Sequence, residues 1–159
     1  MHTFTDHLYT VHSIAEIARI AGYTSEGTAC LALSEPRPEL FSVPVYRYSR
    51  RSGPNFYTTN QDEGNYLASH KGFCLEDDGR PVWHVFSRQC ACCGTIPLYR
   101  WYNPEKGDYF YTVDPTGERV GVMGYVMQGL LGYVFPRDAP VVGCRKPLYR
   151  WSKRAPGMR

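Results

Sequence analysis

Six cysteines and five histidines hold most of the reactive chemistry available to this chain of 159 residues. Cys30, Cys74, Cys90, Cys92, Cys93 and Cys144 include a tight "CACC" cluster, with His84 shortly before it. Structural zinc sites usually space thiolates as Cys-x(2–4)-Cys and repeat the pair farther on, so that four ligands close a tetrahedron. The cluster here is tighter and no second pair follows, so the sequence predicts no metal site. An even number of cysteines in a small strand-rich chain points instead to a disulfide framework and an oxidising compartment. Free buried thiols are the alternative, and spacing does not choose a connectivity. Cys93 and Cys144 both fall shortly before a repeated proline, in what reads as the same loop.

The other reactive types are less organised. His2, His7, His12, His70 and His84 sit in no nucleophile or metal motif, and no glycine-rich phosphate loop precedes a helix. Asp77-Asp78 is followed by Gly79-Arg80 and reads as a solvated turn rather than an acid/base pair. The sequence therefore predicts a protein that is not an enzyme and takes no cofactor.

What positions these residues is an internal repeat. "PVYRY" (44–48) recurs as "PLYRW" at 97–101 and 147–151, about fifty residues apart each time. A second phrase is "NFYTT" (55–59) and "YFYTV" (109–113), and its third copy is "HLYTV" at 7–11. A third phrase couples glycine to an aromatic ring: "GYTSEG" (22–27), "GFCLED" (72–77) and "GYVMQG" (124–129), each followed by a short apolar segment. The chain thus reads as units 44–96 and 97–146 plus a third unit split between 147–159 and 1–43. Pairing the first strand with the last closes a ring of three in one domain, 1–159.

Each unit predicts a hairpin, because "LYRWYN" and "DYFYTVD" are rich in aromatic residues and flank the turn "PEKG". A helical turn follows, signalled by Ser13 with Glu16 and by Asn60 with Glu63, both in capping-box spacing. Glu118 recurs in the third copy, where Asp114-Pro115 makes the cap irregular. The Gly-aromatic phrase and the apolar segment read as two further strands. Four strands in each of three units predict an all-β protein, a β-trefoil with short helical turns. A three-bladed propeller fits the same arithmetic but leaves its central channel uncovered. Leu8, Phe56 and Phe110 are the expected core, with Tyr9, Tyr57 and Tyr111 as wall residues. Arg47, Arg100 and Arg150 recur at one strand position and are each expected to pair with a carboxylate such as Glu16, Glu63 or Glu118.

Hydrophobic residues make up 43% of the chain, enough for a core, and no apolar run is long enough to span a membrane. The start "MHTFTDHLYTVH" lacks the basic-then-apolar pattern of a secretion signal. The cysteines nevertheless favour an extracellular, secreted protein, with the cytoplasm as the alternative.

The order "PLYRWYN…GDYFYT…E…GY…QG…GYVF" resembles a repeat family of unknown function found in secreted bacterial and fungal proteins. Its units read "PLYRxYN…GDHFYTT…GYxxEGxxGYVF". The likeness covers nearly the whole chain and is strongest over 97–136. It implies a lectin-like or surface-anchoring role and assigns no catalytic residues. The chain departs from the pattern through the insertion "DDGRPVWHVFSRQCACCG" and the split unit, and it lacks the Gln-x-Trp signature of ricin-type lectins.

Sugar recognition needs an aromatic face against the C–H side of the ring and planar polar groups for vicinal hydroxyls. Hairpin ends and turns supply both in each unit. The candidate carbohydrate-binding residues are Asp6, His7, Glu26, Tyr48, Asn55, Trp101, Asn103, Asp108, Tyr109, Gln128 and Trp151. They predict glycans or glycoconjugates as partners, in up to three quasi-equivalent sites. A protein-interaction or protease-inhibitor-like module acting through loops such as 77–93 is the alternative. The C-terminal run Arg145, Lys146, Arg150, Lys153, Arg154 and Arg159 carries no acidic residue and offers a place for anionic polysaccharide, although a solvated terminus explains it equally simply. A net charge of +3 is too small to imply nucleic acid.

Overall fold

Three tyrosines tie the chain into a cycle. In the computed structural model, which describes residues 4–12, 22–50 and 53–154 (backbone alone at 4, 5 and 154), the Tyr57 hydroxyl accepts from Tyr9 N at 2.8 Å and donates to Tyr9 O at 3.1 Å. The Tyr111 hydroxyl does the same to the Tyr57 backbone (2.8 and 2.9 Å), and the Tyr9 hydroxyl to that of Tyr111 (2.7 and 2.9 Å). The rings meet edge to face at 5.3–5.6 Å between centroids, and all three residues are fully buried.

The geometry follows from the hairpins. Strand β1 (Phe4–Thr10) pairs with β10 (Arg145–Arg154), β4 (Asn55–Thr58) with β3 (Ser42–Ser49), and β8 (Asp108–Thr112) with β7 (Ile96–Asn103). A strand residue points its own N–H and C=O to the same side. At Tyr9, Tyr57 and Tyr111 that side faces the other hairpins, and a phenol hydroxyl serves where a neighbouring strand would. The cut hairpin is present as expected: Leu8 lies opposite Trp151 and Tyr9 opposite Arg150.

The third phrase folds differently from the expectation of two strands per unit. Strands β2 (Thr24–Leu33) and β9 (Val126–Val134) each run unbroken through the Gly-aromatic phrase and the apolar segment, against β10 and β7. Where a turn was expected there is a bulge. Gly27 (φ 86°) and Gly129 (φ 130°) take a backbone conformation that a Cβ disfavours, and the register shifts beside them. In the middle unit Asp77 stands at the equivalent position, also at positive φ (57°). There the chain loops out and splits the strand into β5 (Cys74–Leu75) and β6 (Trp83–Phe86), both on β3. The described residues therefore hold ten strands rather than twelve, all antiparallel. The ends of the three long segments meet in turn, Leu33 with His84, Phe86 with Tyr133, and Leu31 with Phe135.

Helix α1 (Gln61–His70) starts where the cap predicted: the Asn60 side chain accepts from the N–H groups of Asp62 and Glu63. It is longer than the single turn expected. Glu63 does not reach back to close a capping box; its carboxylate accepts from Thr58 Oγ1 at 2.8 Å instead. The third copy is irregular as expected, a 3-10 stretch over 117–123 broken by positive φ at Glu118 and Arg119. The predicted helix at Ser13–Glu16 lies outside the described residues. Leu8, Phe56 and Phe110 are buried, with Trp83, Val45, Leu98 and Leu148 beside the tyrosines. Among the described residues no helix is long and apolar enough to cross a membrane.

Candidate functional site

Strand arginines hold the units together. Arg100 on β7 grips Glu63 with two hydrogen bonds, Nη1–Oε1 3.2 Å and Nη2–Oε2 2.6 Å, and its Nε donates to Gln128 Oε1 at 2.9 Å. Arg150 on β10 repeats the arrangement with Glu118 (3.0 and 2.8 Å) and Glu26 Oε1 (2.7 Å). The guanidinium groups lie over Phe56 and Phe110, at 4.7 and 4.6 Å from the ring centroids. Burial raises the Glu63 and Glu118 carboxyls, but the hydrogen bonds and charge of the facing arginine outweigh it and hold both below the usual carboxylate range. Two of the three arginines thus pair with carboxylates from the expected set. Arg47 is buried, and Glu16, the third of that set, lies outside the described residues.

A second set of contacts joins the hairpin ends. Asp108 Oδ2 lies 2.7 Å from His7 Nδ1 and accepts from the Tyr125 hydroxyl. Asp6 accepts from the Tyr23 hydroxyl and from Asn55, through the backbone N–H at 3.2 Å and Nδ2 at 3.1 Å. Burial pushes the Asp6 carboxyl up to about 7, against the hydrogen bond from Tyr23, which lowers it. In each pair the aspartate takes a tyrosine from its own unit and a polar side chain from the next. The middle unit replaces both members together, with Pro54 for the aspartate and Phe73 for the tyrosine. The acceptor and its donor are lost in one step, and that junction is aromatic, with Phe56 and Tyr109 at 4.8 Å. A histidine beside an aspartate is half of an acyl-transfer triad. His7 is 3% exposed, and a small cleft reaches it. The pair holds two units in register.

Three clefts open at these junctions. The first, of about 700 Å³, is lined by Glu26, Asp114, Glu118, Arg137, Asp138 and Arg150. A smaller one of about 130 Å³ shares Glu26, Glu118 and Arg150 with it and reaches His7 and Tyr125. At the next junction a cleft of about 450 Å³ is lined by Arg50, Lys71, Phe73, Tyr102, Lys106 and Tyr109 among others. The Tyr102 and Tyr109 rings lie 4.6 Å apart at 31° and form its wall.

The candidate residues divide on this geometry. Asp6, His7, Tyr48, Asn55, Asn103, Asp108 and Tyr109 are buried rather than presented at hairpin ends, because their partners come from other units or from the turns beneath them. Tyr48 packs against Gly64 and donates to Asn65 Oδ1 at 3.2 Å. Asn103 accepts from the N–H groups of Glu105 and Lys106, which fixes the turn 103–107. Trp101 is half-buried against Phe110, Val120 and Tyr125 and covers Gly117, where a Cβ would lie 2.6 Å from the ring. Trp151 is half-buried and Gln128 exposed, the latter held by Arg100. Of the set, Glu26 lines the first and second clefts, His7 the second and Tyr109 the third. Sequence reasoning missed Arg50, Lys71, Tyr102 and Lys106. Arg50, Lys71 and Lys106 belong to no repeated phrase, and Tyr102, although part of "PLYRWYN", reads there only as a strand residue.

The basic C-terminal run is also divided. Arg145 stacks over Phe135 at 3.9 Å, Lys153 over Tyr23 at 5.5 Å, and Arg150 is committed to its carboxylates, leaving Lys146 exposed. The Arg154 side chain and Arg159 lie outside the described residues. Of the expected disulfide framework one bridge is present, Cys90–Cys93. Cys30, Cys74, Cys92 and Cys144 are free thiols, and burial pushes Cys30 up to about 12.

A family model described as a domain of unknown function (DUF5648) matches residues 48–157. No curated protein and no solved structure matches.

Proposed function

We propose that this chain, which belongs to the DUF5648 family of domains of unknown function, is a lectin-like module that binds saccharides in the clefts between its units and catalyses no reaction. The observation that carries the reading is the cleft walled by Tyr102 and Tyr109. It combines an aromatic face with charged donors from two units, the two ingredients of sugar recognition. The carboxylate- and guanidinium-lined cleft at the next junction offers planar groups for vicinal hydroxyls and supports the same reading. We read the architecture as a β-trefoil with pseudo-threefold symmetry; the tyrosine cycle and the three meeting strand ends favour it. More than one such cleft gives avidity to weak single-site binding. The Cys90–Cys93 bridge favours an oxidising, extracellular setting.

A second reading, a protein-interaction module, is favoured by one surface. Val122, 85% exposed, is followed by exposed Met123, Val126, Met127 and Leu130. Glycan-array retention at high protein density separates the two. Tyr102→Ala is expected to lose about 1 kcal/mol or more of sugar affinity while the fold is kept. If no glycan on the array is retained, the lectin reading fails.

A further inference from the structure

The cleft at Tyr102 and Tyr109 carries a charge imbalance that points to its ligand. Arg50, Lys71 and Lys106 line it against a single carboxylate, Glu105. Lys106 Nζ is shielded from solvent and has no hydrogen-bond partner among the described residues, and the same holds for Arg50 Nε. Buried polar atoms are nearly always paired, and two orphaned cationic donors in one cleft call for an acceptor from outside the protein. Burial also lowers the Lys106 ammonium pKa, against the charges of Asp108 and Glu105.

The cations are held in place. Asn103 fixes the turn that carries Lys106, and Gly107 (φ 74°) lets that turn lie against Arg50, where a Cβ would meet Nη2 at 3.2 Å. Arg50 is braced over the Phe73 ring at 4.9 Å and donates to Lys71 O at 3.4 Å. Arg50, Lys71 and Phe73 come from the middle unit, and Tyr102, Lys106 and Tyr109 from the next. The site is therefore assembled across a junction. Nucleic acid needs a track of cations along a surface, whereas these line one cleft beside an aromatic wall.

We infer that this cleft binds the anionic group of an acidic saccharide, a carboxylate or a sulfate ester, between Lys106 and Arg50, with the pyranose ring against Tyr102. The inference rests on the lectin reading and deepens it by naming the ligand class. It places the discriminating contacts in residues 50, 71 and 106, outside the repeated phrases.

Isothermal titration of the intact chain tests it with three ligands: a uronate trisaccharide, its carboxyl-reduced neutral counterpart and a sulfated counterpart. At low salt the uronate or the sulfated ligand is expected to bind about tenfold or more tighter than the neutral one. That preference should shrink as salt rises, and the tighter of the two acidic ligands identifies the anion. Lys106→Met and Arg50→Met keep the apolar stems. Each should abolish most of the preference, whereas Lys146→Met, which removes an exposed charge outside the cleft, should keep both the preference and the neutral affinity. Near-ultraviolet circular dichroism confirms that each variant is folded. Equal binding of acidic and neutral ligands by the unaltered chain, or a preference that survives both cleft variants, overturns the anion assignment and leaves the lectin reading standing. Binding of none of the three, together with an empty glycan array, overturns both.

Discussion

Removing one hydroxyl from the tyrosine cycle isolates what that cycle contributes. Tyr57→Phe keeps the ring, its edge-to-face packing on Tyr9 and Tyr111 and its stacking on Trp83 at 5.5 Å. It removes the acceptor of Tyr9 N–H and the donor to Tyr9 O, and it leaves the Tyr111 hydroxyl on the Tyr57 backbone untouched. Both orphaned groups face the sealed interior, so no water replaces the phenol. Each buried unpaired polar group costs about 1–3 kcal/mol, so the pair costs about 2–6 kcal/mol before relaxation. A domain of this kind is stable by only about 5–15 kcal/mol. Urea unfolding followed by tryptophan fluorescence is the assay, with an unchanged m-value as evidence that only the native state is affected. Tyr9→Phe and Tyr111→Phe break equivalent bonds and are expected to match Tyr57→Phe within about 1 kcal/mol. Tyr46→Phe, outside the cycle, is the control and should cost little. A loss below about 0.5 kcal/mol at all three positions would refute the reasoning. So would one tyrosine dominating the other two by several kcal/mol.

Other perturbations test the junctions. Asp6 has a folded pKa of about 7 against an ordinary value of 3.8, so the native state holds a proton that the unfolded chain releases. Its contribution to stability is therefore full below the ordinary value and falls by about 1.4 kcal/mol per pH unit as pH rises toward 7. Asp6→Asn should flatten that slope in urea midpoints measured against pH, and an identical slope would show that Asp6 is not the cause. Glu63 and Glu118 have lowered pKa values and act with the opposite sign, losing their contribution as acid protonates them. Gly64→Ala places a Cβ 2.1 Å from the buried Tyr48 ring, and the clash should outweigh the gain in helix propensity by about 1–2 kcal/mol in thermal or urea unfolding. Arg100→Met leaves Glu63 with Thr58 as its only remaining partner among the described residues; because that carboxylate is partly exposed, the expected loss is about 2 kcal/mol, and Glu63 should titrate closer to its ordinary value by NMR. Alkylation of the folded, unreduced protein followed by mass measurement should label Cys74 and Cys92, spare Cys30 and show one disulfide.

What the sequence made legible was what it states three times. The hairpins, the joined ends, the Asn60 cap and the partners of Arg100 and Arg150 follow from phrases whose spacing repeats, so each copy checks the others. The Gly-aromatic phrase and the apolar segment read as two strands, whereas Gly27 and Gly129 are bulges within one, because a glycine between two apolar stretches suits either and only the facing strand decides. The burial of Asp6, His7 and Asn55 was not legible, since their partners lie in other units. One signal was available and went unused: the unit with proline in place of the aspartate also has phenylalanine in place of the tyrosine. Arg50, Lys71 and Lys106 carried no repeat signal, because a cleft specific to one junction depends on residues that differ between copies.

The tyrosine cycle makes the three hairpins depend on one another. Each unit offers its hydroxyl to a neighbour's backbone and takes one from the unit on the other side, so no unit satisfies itself. A lone fifty-residue unit would leave both needs unmet, whereas three separate copies could meet them in a ring. The seam between Trp151 and Leu8 is thus held twice, by strand pairing and by the hydroxyls of the cycle, so a loss at any one tyrosine is felt by all three hairpins.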